Sequence, residues 1–176
     1  MMKMKKIFGL VVVVLLASSS VNAQKIYGTR NGKISFTAQK DEDVTAVNNE
    51  VVSRLSDKGE ISFSLLLKGF KFAYAEMQTH FNNDYLQSNQ FPRADFKGNI
   101  TNIKTVDFTK NGNYKVAVKG NLTLHGVTKP ITVNGIISVK AGKLTANAQF
   151  IIVMKDFNID AATVTNQVNA EINCVY

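Results

Sequence analysis

The chain has 176 residues, with 21 lysines and arginines against 13 aspartates and glutamates and a formal net charge of +8. Its single cysteine excludes an intramolecular disulfide, so packing alone must hold the fold together. The basic residues are scattered singly, as at Lys97, Lys104 and Lys110, and form no basic run interleaved with aromatic residues of the kind that binds nucleic acid. We therefore expect one globular domain without a nucleic-acid partner.

The N-terminus has the composition of a secretory signal peptide. Three lysines precede a short apolar run over residues 7–17, and small residues lead up to Ala23. The run is about half of the ~20 residues that a membrane span requires, and no cysteine lies near the cleavage point to take a lipid anchor. We predict a signal peptide over residues 1–23 and a mature domain over 24–176, exported to the periplasm or secreted, with a net charge of +5.

Beyond residue 24, apolar and polar side chains alternate along the chain. The clearest runs cover residues 34–38, 61–67, 113–125 and 131–139, and a period of two is typical of a strand with one apolar face. The run over 113–125 extends for roughly 40 Å at ~3.3 Å per residue, whereas a mean strand has only ~5–6 residues. These patterns predict an all-β fold, an antiparallel eight-stranded extended barrel wide enough inside for one slim ligand.

Glycine-containing pairs predict the turns between strands. Asn111-Gly112 and Ala141-Gly142 have the composition of hairpin turns. Gly126 permits a backbone angle that a branched residue resists. Pro130 is expected to end the same turn, at a position where no backbone donor is needed.

Residues 76–92 break the alternation. Met77, Phe81 and Tyr85 recur at helical intervals, and Pro92 stops the pattern. We predict a short helix or helical loop in this segment that caps one end of the barrel.

Cys174 lies on one face of the last predicted strand together with Val168, Ala170, Ile172 and Tyr176. An apolar setting of this kind is typical of a thiol that packs as a small side chain. We expect Cys174 to be buried and structural rather than reactive.

Residues 122–130 read Leu-Thr-Leu-His-Gly-Val-Thr-Lys-Pro and closely resemble a signature of the YceI-like family of bacterial polyisoprenoid-binding proteins. The pairs His-Phe at 80–81 and Phe-Pro at 91–92 resemble a second element of that family. The resemblance implies a lipocalin-like barrel with an elongated pocket that holds an isoprenoid tail. Residues 155–159 also resemble a family segment, in which Asn158 replaces a glycine, and asparagine tolerates the left-handed backbone expected there.

The apolar sides of the strands allow two interpretations. From the residues alone a plain packed core is favoured, because most apolar faces are core. The resemblance favours a ligand lumen lined by the inward side chains. The lining residues that it implies are Phe36, Phe63, Leu65, Phe72, Phe81, Tyr85, Phe96, Tyr114, Val116, Val118, Leu122, Leu124, Ile131, Val133 and Phe150.

Catalytic chemistry is weakly represented. His80 and His125 are the only histidines, and no Gly-x-Ser-x-Gly motif accompanies them. A metal site would need both histidines and a carboxylate such as Asp84 to converge, because zinc takes three or four protein ligands. We expect instead that each histidine hydrogen-bonds local backbone, and that the protein has no catalytic residue, no metal and no cofactor.

These features predict an exported, non-enzymatic protein that holds an amphipathic isoprenoid lipid, a quinone or a polyprenyl phosphate, for transport, storage or sequestration. Tyr85 and Asn82 in the cap, and Lys129 or Arg93 near the barrel ends, are candidates to meet the head group. The modest positive charge allows transient contact with an anionic membrane surface, and a homodimer is left open. The alternatives are a periplasmic structural or stress-related interaction module with a self-filled barrel and, third, a hydrolase or metal enzyme using a histidine.

Overall fold

The computed structural model describes residues 23–41 and 43–176, so the predicted signal peptide lies outside the described residues except for Ala23. No helix in the described part is long and apolar enough to cross a membrane. The strands of this part are β1 (Ile26–Ala38), β2 (Thr45–Ser56), β3 (Glu60–Leu66), β4 (Lys71–Phe72), β5 (Arg93–Ile100), β6 (Gly112–Leu124), β7 (Val127–Lys140), β8 (Lys143–Val153) and β9 (Gln167–Val175). The helical elements are α1 (Ala75–His80), a π-helical turn (Phe81–Tyr85) and 3₁₀ turns over Leu67–Gly69, Ile103–Thr105 and Met154–Phe157.

Eight of these strands form a closed antiparallel barrel. The hydrogen-bonded order is β1-β9-β8-β7-β6-β5-β3-β2, and pairing between β1 and β2 closes the ring. The two-residue strand β4 pairs only with β2, at Ala46 and Val47. The predicted fold class, an eight-stranded antiparallel barrel with a short helical cap, is confirmed.

The β6–β7 hairpin contains the signature segment. Its register runs without interruption from the Leu124–Val127 pair at the turn to the Gly112–Val139 pair at the far end. His125 and Gly126 form the turn with φ values of +50° and +74°, as in a type I′ turn, whose twist matches that of the flanking strands. Gly126 therefore adopts a backbone angle that a branched residue resists, as predicted.

Pro130 lies inside β7, opposite Asn121, and does not end the turn as predicted. Hydrogen-bonded and non-hydrogen-bonded pairs alternate away from a two-residue turn, which makes Asn121–Pro130 a non-hydrogen-bonded pair. The backbone nitrogen of Pro130, which carries no hydrogen, therefore points toward β8 rather than β6.

The two remaining predicted turns differ in outcome. Ala141 and Gly142, with φ values of +49° and +78°, join β7 to β8 as expected. Asn111-Gly112 is not a hairpin turn, because β6 begins at Gly112 after a long connection from β5. The Asn111 side chain is used elsewhere: its Oδ1 accepts a hydrogen bond from the Ala141 amide at 3.0 Å.

The two ends of the barrel are built differently. At the lower end, where β1 begins, the rings of Tyr27 and Phe108 stack with centroids 5.5 Å apart. Ile103 and Val106 from the β5–β6 connection pack against the core at the same end. Cys174 is fully buried, as predicted.

The upper end carries the cap, residues 67–92. Its helix is shorter than the predicted segment, since α1 passes into the π-helical turn and Gln87 adopts a φ of +45°. The buried Asn48 side chain donates to the Leu66 carbonyl at 2.9 Å, and Gln78 Nε2 donates to the Phe70 carbonyl at 2.6 Å. The first bond ties the end of β3, where the cap begins, to β2, and the second joins α1 to the segment before β4 within the cap.

Candidate ligand-binding site

The barrel encloses a cavity of about 670 Å³. Ile61 and Ile100 line it toward the lower end, and Phe81 and Met154 line it beneath the cap. The volume lies within the ~300–1,000 Å³ of small-molecule sites. Because protein interiors are close-packed with few voids larger than a water molecule, a cavity of this size supports a lumen over a plain packed core.

Fourteen of the fifteen side chains predicted to line a lumen are found at this cavity. They are Phe36, Phe63, Leu65, Phe72, Phe81, Tyr85, Phe96, Val116, Val118, Leu122, Leu124, Ile131, Val133 and Phe150. Eleven of them lie on the inward phase of barrel strands, and closure of the sheet turns that phase into a common interior; Phe72 lies on β4. The cap residues Phe81 and Tyr85 reach the same space from above.

Tyr114 is the exception and is a correction to the predicted lining. It shares the inward phase of β6, but it lies near the start of that strand, toward the closed lower end. Its hydroxyl donates to the Lys110 carbonyl at 3.0 Å, and its ring packs against the core rather than the cavity.

Several lining residues were missed by sequence reasoning. Ile34 and Ile172 follow the period-two pattern of their strands, so this signal would have found them. Leu67, Met154 and Ile159 lie in turns and connections, where no periodicity indicates which side chains point inward.

Four phenylalanines form the roof of the cavity. The Phe81 ring lies 5.7 Å from Phe36, 5.5 Å from Phe70 and 5.0 Å from Phe72, measured between ring centroids. Aromatic pairs at such distances add to the stability gained from burial alone. Phe36 on β1 also lies 5.3 Å from Phe70 and 5.8 Å from Phe72, so the three cap rings are joined to the barrel wall through Phe36.

Polar lining residues concentrate at the upper mouth. The polar lining residues at the mouth are Lys40, Asp41, His80, Tyr85, Thr163 and Thr165. The remaining polar lining residues, Asp95 and Asn147, lie on strands. Lys40 Nζ donates to the Ala162 carbonyl at 2.9 Å, which joins the β1–β2 connection to the β8–β9 connection across the mouth. The arrangement is that of a site for an amphipathic molecule, apolar along its depth and polar where it opens.

Of the four candidates for head-group contact, only Tyr85 lines the cavity. Asn82 Nδ2 donates to the Gln78 carbonyl at 2.9 Å within the cap. Arg93 lies on the outer surface, where it contacts Asp95 at 3.8 Å and hydrogen-bonds Ser64. Lys129 is exposed on β7.

The two histidines have separate roles in the structure. His125 Nδ1 donates to the Phe157 carbonyl at 3.1 Å, a backbone bond but one that spans 32 residues rather than a local one. His80 Nδ1 donates to the Asp84 carboxylate at 2.5 Å, so the predicted backbone bond is wrong for His80. That hydrogen bond raises the pKa of His80 above its usual value of 6.5. The described residues contain no group of three or more His, Cys, Asp or Glu side chains able to hold a metal ion.

A closed eight-stranded antiparallel barrel around an apolar cavity defines the lipocalin-like class of proteins. Within that class, the family model described as the YceI-like domain matches residues 16–176 of this chain. The chain therefore belongs to the YceI-like family, as the signature at 122–130 predicted.

Curated relatives are UPF0312 proteins of bacteria. A Pseudomonas fluorescens protein is 33% identical over 105 residues, which cover 58% of this chain and 44% of the relative. A Vibrio parahaemolyticus protein is 43% identical over 61 residues, covering 34% of this chain and 29% of the relative. The chain thus spans less than half the length of these two relatives.

Solved structures share the fold at low sequence identity. A polyisoprenoid binding domain from Saccharophagus degradans, implicated in plant cell wall breakdown, superimposes with a TM-score of 0.72 at 14% identity, covering 88% of this chain and 97% of that domain. The YceI protein of Campylobacter jejuni superimposes with a TM-score of 0.55 at 15% identity, covering 99% and 98% of the two chains. At such identities the likeness establishes the barrel architecture.

Proposed function

We propose that this chain is an exported, non-enzymatic binding protein that holds an amphipathic isoprenoid lipid, a quinone or a polyprenyl phosphate, in its barrel cavity. The observation that carries the proposal is the cavity of about 670 Å³, apolar along its depth and polar at its mouth. The family and the Saccharophagus degradans domain, which is described as polyisoprenoid-binding, support the same ligand class.

Burial of a prenyl tail supplies enough free energy without any covalent chemistry. A tail of roughly forty carbons, at the ~0.3 kcal/mol per atom typical of large ligands, gives on the order of 12 kcal/mol, which corresponds to nanomolar binding. The branched and aromatic lining, including Phe63, Val118 and Ile131, offers continuous apolar contact for such a tail. Polar groups then contribute orientation more than affinity.

The mouth offers partners for the head group. Lys40 and His80 supply positive charge or hydrogen-bond donors, and the Tyr85 hydroxyl can donate or accept. A phosphate suits the Lys40 ammonium and the protonated form of His80, and a quinone carbonyl suits the hydroxyl or the lysine. We place the head group beneath the cap and the tail toward Ile100.

Export and the lack of catalysis complete the proposal. Export is supported by the lysine-led apolar segment over residues 7–17 and the small residues before Gln24. A role in binding rather than catalysis is supported by the family and by the engagement of both histidines in hydrogen bonds, with Asp84 and with the Phe157 carbonyl. No cofactor is required for such a role.

Native mass spectrometry of the protein purified from its own host tests the proposal. We expect a bound species of defined mass that organic extraction identifies as an isoprenoid lipid. Protein freed of lipid should rebind ubiquinone or an undecaprenyl phosphate from detergent micelles. An apo mass from the host together with no uptake of either lipid from micelles would overturn the proposed function.

A further inference from the structure

The barrel wall is incomplete between β7 and β8. The two strands pair only from Gly135–Ala148 to Lys140–Lys143. Above that point β7 continues to Val127 along β6, and β8 continues to Val153 along β9. Over this upper stretch, each strand is paired on one side only among the described residues, although the 3₁₀ turn Met154–Phe157 also contacts β7.

Both limits of this gap are visible in the structure. Its lower limit is the Gly135–Ala148 pair. Its upper limit is the hydrogen bond of 3.1 Å from His125 Nδ1 to the Phe157 carbonyl, which joins the β6–β7 turn to the 3₁₀ turn after β8. Pro130 lies within the gap and turns the side without an N–H toward it, as is usual for an edge strand. The sequence of β7 thus matches an unpaired edge.

The cavity approaches the outer surface at the lower limit of the gap. Gly135 and Ala148 present almost no side chain there, and both line the cavity. Atoms of Ile136 and Asn147 also line it, although these residues are on the outward phase of their strands. The wall is therefore thin where β7 and β8 separate.

The surface around the gap is apolar and basic. Ile136 on β7 and Ile151 on β8 are 41% and 54% exposed. Lys115 is directly opposite Ile136, and Lys119 is opposite Thr132, so both lysines share the outer face of the β6–β7 ribbon.

Lys97 extends the same basic face onto β5, opposite Asn121. Three acidic residues surround this face, and Asp156 is one of them, beside Lys155 in the 3₁₀ turn at the upper limit of the gap. Asp95 on β5 is engaged by Arg93 and Ser64, and Glu171 lies on β9, opposite Gln149. Exposed isoleucines beside several lysines are suited to an anionic bilayer surface, because lysine adds about 1 kcal/mol of attraction each near such lipids.

We propose that the gap between β7 and β8 is a lateral portal, which docks on an anionic lipid bilayer through Ile136, Ile151 and the lysines of β5 and β6 and lets the ligand pass sideways between membrane and cavity. This inference rests on the proposed function, since it assigns the membrane-facing side of the same cavity. It also explains why the barrel leaves two strand edges unpaired, although closure normally removes such edges.

Docking is tested by sedimentation with vesicles of equimolar phosphatidylglycerol and phosphatidylcholine, with pure phosphatidylcholine vesicles as the neutral comparison. The variant Lys115→Glu/Lys119→Glu should bind the anionic vesicles at least about 25-fold more weakly, which is about fivefold for each lysine. Lys33→Glu/Arg54→Glu carries the same charge change on β1 and β2, and it should bind like the wild type. Equal weakening in both double variants would overturn the docking surface.

A second pair of variants tests the apolar contact. Ile151→Ser should weaken vesicle binding severalfold, whereas Val52→Ser, an exposed β-branched residue on β2, should leave it unchanged. Equal binding by Ile151→Ser and wild type would count against contact of β8 with the bilayer.

Passage through the gap is tested with a cross-link. In the double variant Thr132→Cys/Ile151→Cys the two thiols lie on opposite lips of the gap, and a short bifunctional maleimide joins them. Transfer of a nitrobenzoxadiazole-labelled polyprenyl phosphate from anionic vesicles should slow at least tenfold after cross-linking, relative to the same variant treated with a monofunctional maleimide. Unchanged transfer would show that the ligand enters elsewhere and would overturn the portal.

Equilibrium binding of the same labelled lipid from detergent micelles separates the two proposals. If the cross-linked protein, the charge variants and the wild type all bind it equally from micelles, lipid binding in the cavity is supported. The vesicle experiments then test only the proposed entry between β7 and β8. If the wild type does not bind it from micelles, the proposed function itself fails.

Discussion

The ring of Phe96 lies against the backbone of Gly120 on the neighbouring strand, so that a Cβ added at Gly120 would be 2.5 Å from Phe96 Cζ. Gly98, which pairs directly with Gly120, leaves the same kind of space, with its own added Cβ 2.7 Å from Phe96 Cζ. The Phe96 ring therefore packs over Gly98 and Gly120 instead of projecting into the cavity. The width of the cavity at this level depends on those glycines.

Gly120→Ala should destabilise the protein, because the added Cβ would lie 2.4 Å from the Lys97 carbonyl oxygen as well as 2.5 Å from Phe96 Cζ, and the Phe96 ring should move toward the cavity. Overpacking of this kind typically costs about 1–3 kcal/mol, and urea unfolding measures the change in the free energy of unfolding. Gly28→Ala is the matched control, because its added Cβ would meet only the Ser53 carbonyl oxygen, at 3.9 Å. The proposed packing is wrong if the two alanine variants are equally stable.

Val118→Trp should block lipid uptake while leaving the strands folded. Val118 is 9% exposed and lines the cavity at mid-depth on β6, so an indole there fills space that the ligand needs. Uptake of ubiquinone from micelles and the far-ultraviolet circular dichroism spectrum are the two measurements. Asn121→Trp places the same ring on the outward, exposed face of the strand and should bind normally; equal uptake by the two variants would mean that the ligand does not reach this level.

The pKa of His80 should lie above 6.5 and should depend on Asp84, whose hydrogen bond is the main cause of the rise. A raised pKa in the folded state means that the interaction stabilises the cap fully below pH 6.5 and is lost as the pH rises through the folded value. Nuclear magnetic resonance titration of the His80 ring measures it. Asp84→Asn should lower the pKa, and Asp156→Asn, in the 3₁₀ turn after β8, should not; an unchanged value in Asp84→Asn would contradict the assignment.

Cys174 should be inert in the folded protein. Burial raises the pKa of its thiol to about 11, so that only about one thiol in a thousand is ionised at pH 8. We expect no reaction with an aromatic disulfide reagent until the protein is unfolded in guanidinium. Val175→Cys adds a thiol at the next residue, where the native side chain is 52% exposed, and one equivalent should react at once; fast reaction of the wild type would show that the lower end opens.

Local structure in this protein follows closely from local sequence. The alternation along 113–125 predicts β6, observed as Gly112–Leu124, and Ala141-Gly142 predicts its hairpin turn. Asn158, expected to tolerate a left-handed backbone, adopts φ +55° at the end of a 3₁₀ turn. Each of these features depends on only a few neighbouring residues. A strand follows from the two-residue period of its side chains, and a turn follows from the steric limits on the backbone angles of one or two residues.

The predictions failed where a side chain's hydrogen-bond partner is distant in the sequence. Asn111 resembles a turn residue, yet its side chain serves the Ala141 amide thirty residues away. His125 also bonds outside its own turn, to Phe157. Nothing in the sequence near either residue identifies the partner, because strand pairing brings the segments together: β6 with β7 for Asn111, and β7 with β8 for His125.

The sequence by itself determined the long strands, their inward faces, the glycine-dependent turn at Gly126 and the family. Only the tertiary structure decided that the inward faces enclose a cavity, that Tyr114 lies beyond it, and that β7 and β8 separate above Gly135. The physical reason is that a period of two assigns each side chain to a face and so excludes a slip of one residue, but it does not choose the pairing partners or distinguish registers that differ by two residues. Those choices decide where side chains leave space unfilled.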